Sequence, residues 1–350
     1  MKPTVVILHP GAIGDVLLAV PVLRRLRLER PGHELVLLAN GQVSRLLADC
    51  ALVDEWLPMD GQAAGQLFGG TASVPPPLRG WLQRCNLAVG WLQDTEGRLA
   101  QRLGQDGVKE VRVGSPFSSR LQALHQTDRL GEIAGLLSID SSNEDPLIIP
   151  ERWRDEGQRA LARQGVDVGH PLVLVHPGSG SPHKCVGLDT LVPLVARFRQ
   201  MRLTPILLEG PADRDAVTQL CNRLSAPPPV VRDLDLEMVV GLMSHVHRFV
   251  GHDSGMTHLA GLFGIPTVAL FGPTNPARWA PRGRHITVVQ AEACRCPSWD
   301  EVRRCAEKPC LRHAVDEIVE RMKATDTSAT PGLSSIPALS LPTLCARVAS

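Results

Sequence analysis

Asp15 ends a glycine turn, Gly11-Ala12-Ile13-Gly14-Asp15, directly after the apolar run from Thr4 to Leu8. A second segment, His252-Asp253-Ser254-Gly255-Met256-Thr257-His258, follows another apolar run and leads into a third, Pro266 to Gly272. Both spacings predict strand–turn–helix junctions. Such a junction aims backbone N–H groups and the positive end of a helix dipole at an anion, with a carboxylate beside them. One half of the chain is therefore equipped to take a proton and the other to hold a phosphate.

Each of these residues also has a plainer reading. Asp15 is either a general base, favoured by burial in a cleft, or a helix N-cap, a position aspartate fills well. The turn is not a P-loop, because no Gly-Lys-Ser/Thr follows, and it is not a full dinucleotide fingerprint. His176-Pro177-Gly178-Ser179-Gly180-Ser181-Pro182-His183-Lys184 runs from a strand into small residues and a lysine, a composition suited to a diphosphate or to an ordinary surface turn. Ser254 and Gly255 place open N–H groups at a helix start, with His258 one turn on along the same face. Asp253 can orient those donors or bind a hydroxyl. The turn Phe271-Gly272-Pro273-Thr274-Asn275-Pro276 lies at the next strand end, which favours a pocket over a bare cap. Asp233-Leu234-Asp235 invites a metal reading, but Asp235 sits where an N-cap is needed and the cap is preferred. Cys294, Cys296, Cys305 and Cys310 lack the paired spacing of a zinc ribbon, and no metal is assigned to them.

The elements that must position these groups follow from periodicity. Apolar runs alternate with helix-period segments, the pattern of βαβ units and parallel sheets. Strands are expected at Val5–Leu8, Glu34–Ala39, Leu87–Trp91 and Glu110–Val113, then at Leu172–Val175, Pro205–Leu208, Val230-Val231, Phe249-Val250, Thr267–Phe271 and Ile286–Val289. One helix is expected from Asp15 to Leu28, a short one around Val43–Leu47, one over Leu121–Leu137, and a last one over Val315–Met322. Gly61 to Gly80 reads as a loop, Ser138 to His170 as a linker holding a helix near Arg152–Gln164, and the segment beyond Thr325 as a disordered tail. The fold class is α/β, with two doubly wound Rossmann-like halves facing across a cleft. Ligands of such sheets sit outside the carboxyl ends of the strands.

With 43% hydrophobic and 21% charged residues over 350 positions, the chain is globular and long enough for two domains. A net charge of +1 gives no case for nucleic acid as a partner. Arg24, Arg25, Arg27 and Arg30 crowd one early segment and read as a solvated helix face, part of which a phosphorylated acceptor can use. No apolar stretch reaches membrane-spanning length, and nine scattered cysteines without a secretory leader favour the cytoplasm.

Taken together, these motifs resemble the lipopolysaccharide heptosyltransferases of glycosyltransferase family 9. The resemblance runs in order over about residues 4 to 320: Gly11 to Val16, then Pro21, Pro177-Gly178 and Lys184, Asp253 to Ala260, and Pro266 to Thr274. It implies a GT-B architecture, with an acceptor-binding domain over 1–150, a nucleotide-sugar domain over 151–324 and the tail at 325–350. It also implies inverting, metal-independent transfer from a nucleotide-activated sugar, ADP-heptose in most members, with no cofactor. Carried over by position, Asp15 is the base, and Gly11 and Gly14 border the acceptor. Ser179 and Lys184 meet the phosphates, and Ser254 and Gly255 add helix N-terminal donors. Asp253 and His258 complete the donor site, and Asp213 is a candidate for the ribose. The partners implied are the donor and a lipid-linked glycan acceptor, met peripherally at the inner membrane. Cys185-Val186-Gly187 departs from the Arg-Trp-Pro expected after the lysine and removes an aromatic surface near the donor pocket. A nucleotide-sugar epimerase of the same architecture and a silent nucleotide-sugar binder are the alternatives.

Overall fold

The computed structural model describes residues 1–59, 76–117, 124–136, 139 and 145–327. A first parallel sheet is built from β1 (Thr4–Leu8), β2 (Glu34–Ala39), β3 (Glu55–Pro58), β4 (Cys85–Trp91) and β5 (Val111–Gly114), in the order β3-β2-β1-β4-β5. A second holds β6 (Leu172–His176), β7 (Thr204–Glu209), β8 (Val230–Arg232), β9 (Arg248–His252), β10 (Thr267–Phe271) and β11 (Ile286–Gln290), in the order β11-β10-β9-β6-β7-β8. The central strands β1, β6, β9 and β10 are buried at every residue, as a parallel sheet covered on both faces requires.

Helices cover both faces. In the first half they are α1 (Ile13–Leu17), α2 (Val20–Glu29), α3 (Gly41–Asp49), α4 (Pro76–Leu82), α5 (Arg98–Gln105) and α6 (Gln126–Ile133). They continue as α7 (Glu151–Arg163), α8 (Leu188–Gln200), α9 (Arg214–Arg223), α10 (Leu236–Met243), α11 (Gly255–Leu262), α12 (Pro276–Trp279), α13 (Trp299–Arg304) and α14 (Val315–Thr327). The order of each sheet reverses beside its central strand, between β1 and β4 and between β6 and β9. The loops after β1, β6 and β9 therefore open at switch points, where a crevice forms.

Several expectations change. The helix expected from Asp15 to Leu28 is two helices, broken at Leu18-Ala19. Pro21 has no N–H for the Leu17 carbonyl and its ring would crowd that carbonyl, so the helix restarts with Pro21 in its first turn. Gly61–Gly80 is not all loop, because Pro76–Leu82 is helical and buries Leu78, Trp81 and Leu82; residues 61–75 lie outside the described residues. The helix expected over Leu121–Leu137 is described only as Gln126–Ile133, capped by the His125 ring accepting from the Thr127 N–H at 3.2 Å; residues 121–123 and 137 are outside the description. The last helix runs past Met322 to Thr327, and the tail from 328 on is likewise outside it.

The region read as a linker is largely structural. Within it, 138 and 140–144 are not described, but Leu147 donates its N–H to the Leu262 carbonyl (2.9 Å), and α7 packs against α10 at backbone contact. A Cβ on Gly241 would lie 1.8 Å from the Trp153 carbonyl oxygen, and one on Gly157 2.1 Å from the Gly241 carbonyl carbon. Gly241→Ala is expected to destabilise the fold by about 1–3 kcal/mol through overpacking. A lower urea midpoint at unchanged slope is the reading that checks it.

The halves meet through Arg45–Glu237 (2.5 Å), Arg282–Asp128 (3.2 Å), Arg152–Asp49 (2.5 Å) and the His125 ring on the Ala280 carbonyl (2.9 Å). Of the early arginines, Arg25 pairs with Glu29 and Arg27 with Asp54, as a solvated face would. Asp235 is the N-cap of α10, accepting from the Met238 N–H at 2.9 Å. No described helix is long and apolar enough to cross a membrane.

Candidate active site

The loop after β1 is shaped by a histidine that no motif pointed to. His9 is buried, sets its ring edge on Trp91 (centroids 5.3 Å, 69°) and reaches the Asp15 carbonyl through Nε2 at 3.2 Å. Burial pushes it down to about 4, so it is neutral near pH 7 and acts as a positioning group. Its ring fills the space a side chain at position 11 would need: a Cβ there would lie 2.6 Å from His9 Cε1 and 2.7 Å from Asp15 Cβ. Gly11 thus shapes the Asp15 loop from behind and is a wall of neither cavity described below.

Asp15 is not an N-cap. Ala12 holds that position, and Asp15, in the first turn of α1, reaches back so that Oδ2 accepts the Ala12 N–H at 3.1 Å. Its carboxyl is raised above the ordinary range, chiefly by burial, against the Ala12 N–H and the Lys184 charge and with help from Asp253. A half-buried carboxylate with a raised pKa is a better base than a surface one.

Opposite, the loop after β6 is pinned to the loop after β9. Ser179 Oγ donates to the Asp253 carbonyl (2.7 Å), and Lys184 Nζ meets Asp253 Oδ2 (2.9 Å). The ring of His252, buried and pushed down to about 4, accepts the Val186 N–H at Nε2 (3.0 Å) and donates from Nδ1 to the Gly178 carbonyl (3.2 Å). Despite its place in the motif, His252 is a clamp, and it holds the departing segment Cys185-Val186-Gly187. His258, whose Nε2 is 3.9 Å from Asp253 Oδ1, is also held down to about 4 by burial, so it meets a ligand uncharged.

Ser254 is the N-cap residue of α11, but its side chain makes no cap bond. Its hydroxyl turns to His176 Nδ1 (3.4 Å) and Thr257 Oγ1 (3.1 Å), which leaves the Gly255 and Met256 N–H groups open at the cavities, while the Thr257 N–H donates to the Ser254 carbonyl (3.1 Å). Gly255 is glycine because α1 abuts it: a Cβ there would lie 2.9 Å from Ile13 Cγ2, and one on Gly14 3.3 Å from His258 Cδ2. Gly14 and Gly255 thus let two helix N-termini meet across the halves.

Asp213 accepts from His176 Nε2 (2.8 Å) and from the Gly210 N–H (2.9 Å). Burial opposes its ionisation, but these bonds outweigh it and hold the carboxyl below its ordinary range. Gly178 makes room for it, since a Cβ there would lie 1.6 Å from Asp213 Oδ1.

Two cavities share this floor. One, of about 420 Å³, has apolar walls including Leu208, Leu236, Val239 and Met256, with Glu209 and Asp213 at its edge. The other, of about 560 Å³, contains Asp15, Lys184, Asp253, His258, Trp279 and Trp299. Ala12, Gly14, Ser179, Gly180, Ser254 and Gly255 border both. The arrangement suits a flat apolar group in the first, an anion over the shared floor and a polar group beside Asp15. Asp15 and the residues expected at the phosphates are brought together; Asp213 sits apart in the first cavity. Sequence reasoning missed Glu209, Trp279 and Trp299. Glu209, buried and 3.6 Å from Arg232, left one signal: a carboxylate ending the otherwise apolar β7.

Cys294, Cys296, Cys305 and Cys310 do converge, on a separate cavity of about 620 Å³. Burial together with the neighbouring Cys294 and Cys305 thiols pushes the Cys296 thiol up to about 11. Among the described residues no group of three or more His, Cys, Asp or Glu side chains is arranged to hold a metal ion.

Comparison with known proteins places this geometry. The model of glycosyltransferase family 9 (heptosyltransferase) matches residues 144–310, the stretch carrying β6 to β11 and the Lys184–Asp253 floor. The chain is 26% identical over 201 residues to the lipopolysaccharide core heptosyltransferase OpsX of Haemophilus influenzae, covering 55% of this chain and 54% of that protein. It thus spans about half the length of that relative. Among solved structures, a family 9 glycosyl transferase from Veillonella parvula has a TM-score of 0.74 at 17% identity, covering 93% of this chain and 98% of that one. The E. coli ADP-heptose LPS heptosyltransferase II has a TM-score of 0.69 at 17% identity, with coverages of 93% and 99%. At that identity the structures establish the fold, two doubly wound domains in the GT-B arrangement. The family match and the fold agree with the motifs: over residues 144–310 the chain is similar to glycosyltransferase family 9 (heptosyltransferase), and it shares the fold of the solved family 9 structures.

Proposed function

We propose that the protein is an inverting, metal-independent glycosyltransferase that moves a heptose from ADP-heptose onto a lipopolysaccharide core or related lipid-linked glycan, reached at the membrane surface. The observation that carries this reading is the shared cavity: the raised carboxyl of Asp15 and the Lys184–Asp253 pair line one space, with the α11 N-terminus between them.

The nucleoside lies in the apolar cavity, where Asp213 and Glu209 take ribose hydroxyls, and the diphosphate crosses the shared floor to put the sugar beside Asp15. Asp15 takes the proton of an acceptor hydroxyl as that oxygen attacks the anomeric carbon. The bond to the diphosphate breaks on the opposite side, which inverts the centre through an oxocarbenium-like transition state. Charge arriving on the leaving diphosphate is met by Lys184 and the open N–H groups of α11; preorganised donors of this kind are worth roughly 2.7–4 kcal/mol each. These protein groups do the work a divalent cation does elsewhere, so a chelator should leave turnover unchanged.

The test is incubation with labelled ADP-heptose, with and without a lipid-linked core acceptor. Label entering the glycan only when both are present is the expected result. Epimerised donor without acceptor, or donor bound and never consumed, would replace this reading with an epimerase or a silent binder.

A further inference from the structure

The cavity beside Asp15 has a wall that the chemistry above does not use. Asp15 forms one side, and Lys184, Asp253 and the α11 N-terminus form the floor; the rest includes Thr274, Trp279 and Trp299. Tryptophan is scarce in this chain, six in 350 residues, and Trp81, Trp91 and Trp153 are buried in the core. Two half-buried indoles on one polar cavity therefore call for a reason.

They are not equivalent. Trp279 is already engaged, stacked on Phe117 from the first half (centroids 6.4 Å, 28°) and with the Arg278 guanidinium 4.9 Å from its ring centre. Trp299 has no stacked ring or cation among the described residues. It opens α13, whose N-cap Ser298 accepts the Glu301 N–H at 3.3 Å and whose Val302 is buried, so the indole is carried on an anchored turn. Beside the cavity floor, Thr274 Oγ1 is buried and has no hydrogen-bond partner. An uncovered aromatic face and an unpaired buried hydroxyl in one cavity are complementary to a pyranose, which offers an apolar C–H face and a rim of hydroxyls.

We propose that Trp299 and Thr274 form the recognition wall for the sugar being transferred, Trp299 covering the apolar face of the pyranose and Thr274 hydrogen-bonding one of its hydroxyls. Both residues stand on the same half as Lys184 and α11, which assigns them to the donor sugar; the acceptor approaches from the Asp15 side. This also supplies the aromatic surface absent from Cys185-Val186-Gly187. The inference rests on the donor site proposed above and names the residues by which that site would tell the sugar-bearing donor from the bare nucleotide.

The experiment compares the affinity of the full chain for ADP with its affinity for ADP-heptose, by calorimetry, in Trp299→Ala, Trp299→Phe and Thr274→Val. ADP affinity should stay within about twofold throughout, while ADP-heptose affinity falls about 3–10-fold in Trp299→Ala, recovers in Trp299→Phe, and falls in Thr274→Val. Equal losses for ADP and ADP-heptose, or none for either, would overturn the proposal. If Trp299→Ala does not fold, the Phe and Val variants carry the same comparison. Binding is read without turnover, so a wild-type protein that binds the sugar this way yet transfers nothing would sink the transferase reading and leave the sugar wall standing.

Discussion

Asp15→Asn is expected to lower turnover by about 10²–10⁴-fold, the range of a general base, while ADP affinity is kept. The amide is nearly isosteric, and its oxygen can still accept the Ala12 N–H that holds the side chain, so the loop should not move. What is lost is the ability to take a proton. Single-turnover rates beside calorimetric ADP titrations separate the two effects. A variant that keeps near-normal rates removes Asp15 from the chemistry.

The wild-type pH profile should agree. In the proposed mechanism Asp15 works as the carboxylate, and burial holds its pKa above the usual aspartate range. Activity should therefore fall as pH drops through that raised value, earlier than an exposed aspartate would dictate, and recover on the alkaline side. A flat profile down to the range of a free aspartate would argue that the base lies elsewhere.

Lys184→Ala is expected to weaken ADP binding by about 10²–10³-fold, because removing one partner of a hydrogen-bonded charge pair strands the other. Lys184 is 2.9 Å from Asp253, whose side chain is only 6% exposed. Without the ammonium, that carboxylate faces the diphosphate alone and repels it. The repulsive part should be recoverable: Lys184→Ala with Asp253→Asn should bind ADP more tightly than Lys184→Ala alone, as a coupled pair in a double-mutant cycle. Unchanged affinity in the single variant would take Lys184 off the diphosphate.

The alternation of apolar runs with helix-period segments was enough to call an α/β chain with two parallel sheets, because strand and helix periods are local properties of ten or so residues. The turns at Asp15, Lys184 and Asp253 were legible for the same reason, since each is one contiguous stretch at a strand end. The break at Leu18-Ala19 was missed although Pro21 carried its signal: apolar spacing continued through it, and spacing says nothing of a missing N–H. The helix within the linker stretch was legible from Trp153, Ala160 and Leu161 on one face, but its close seat on α10, set by Gly157 and Gly241, was not, because a backbone contact between two glycines leaves no mark in apolar spacing.

What the chain's order of residues determined by itself was which groups could do chemistry and which strand ends would carry them. Which of them meet was decided only in three dimensions. His9 wedged against Trp91 of β4, His252 clamping Gly178 and Val186, and Trp299 brought to the cavity of Asp15 each join residues far apart in the chain. Such a meeting depends on where the sheet order reverses and on how closely Gly14 and Gly255 let the two halves approach, and neither distance is written in any local pattern.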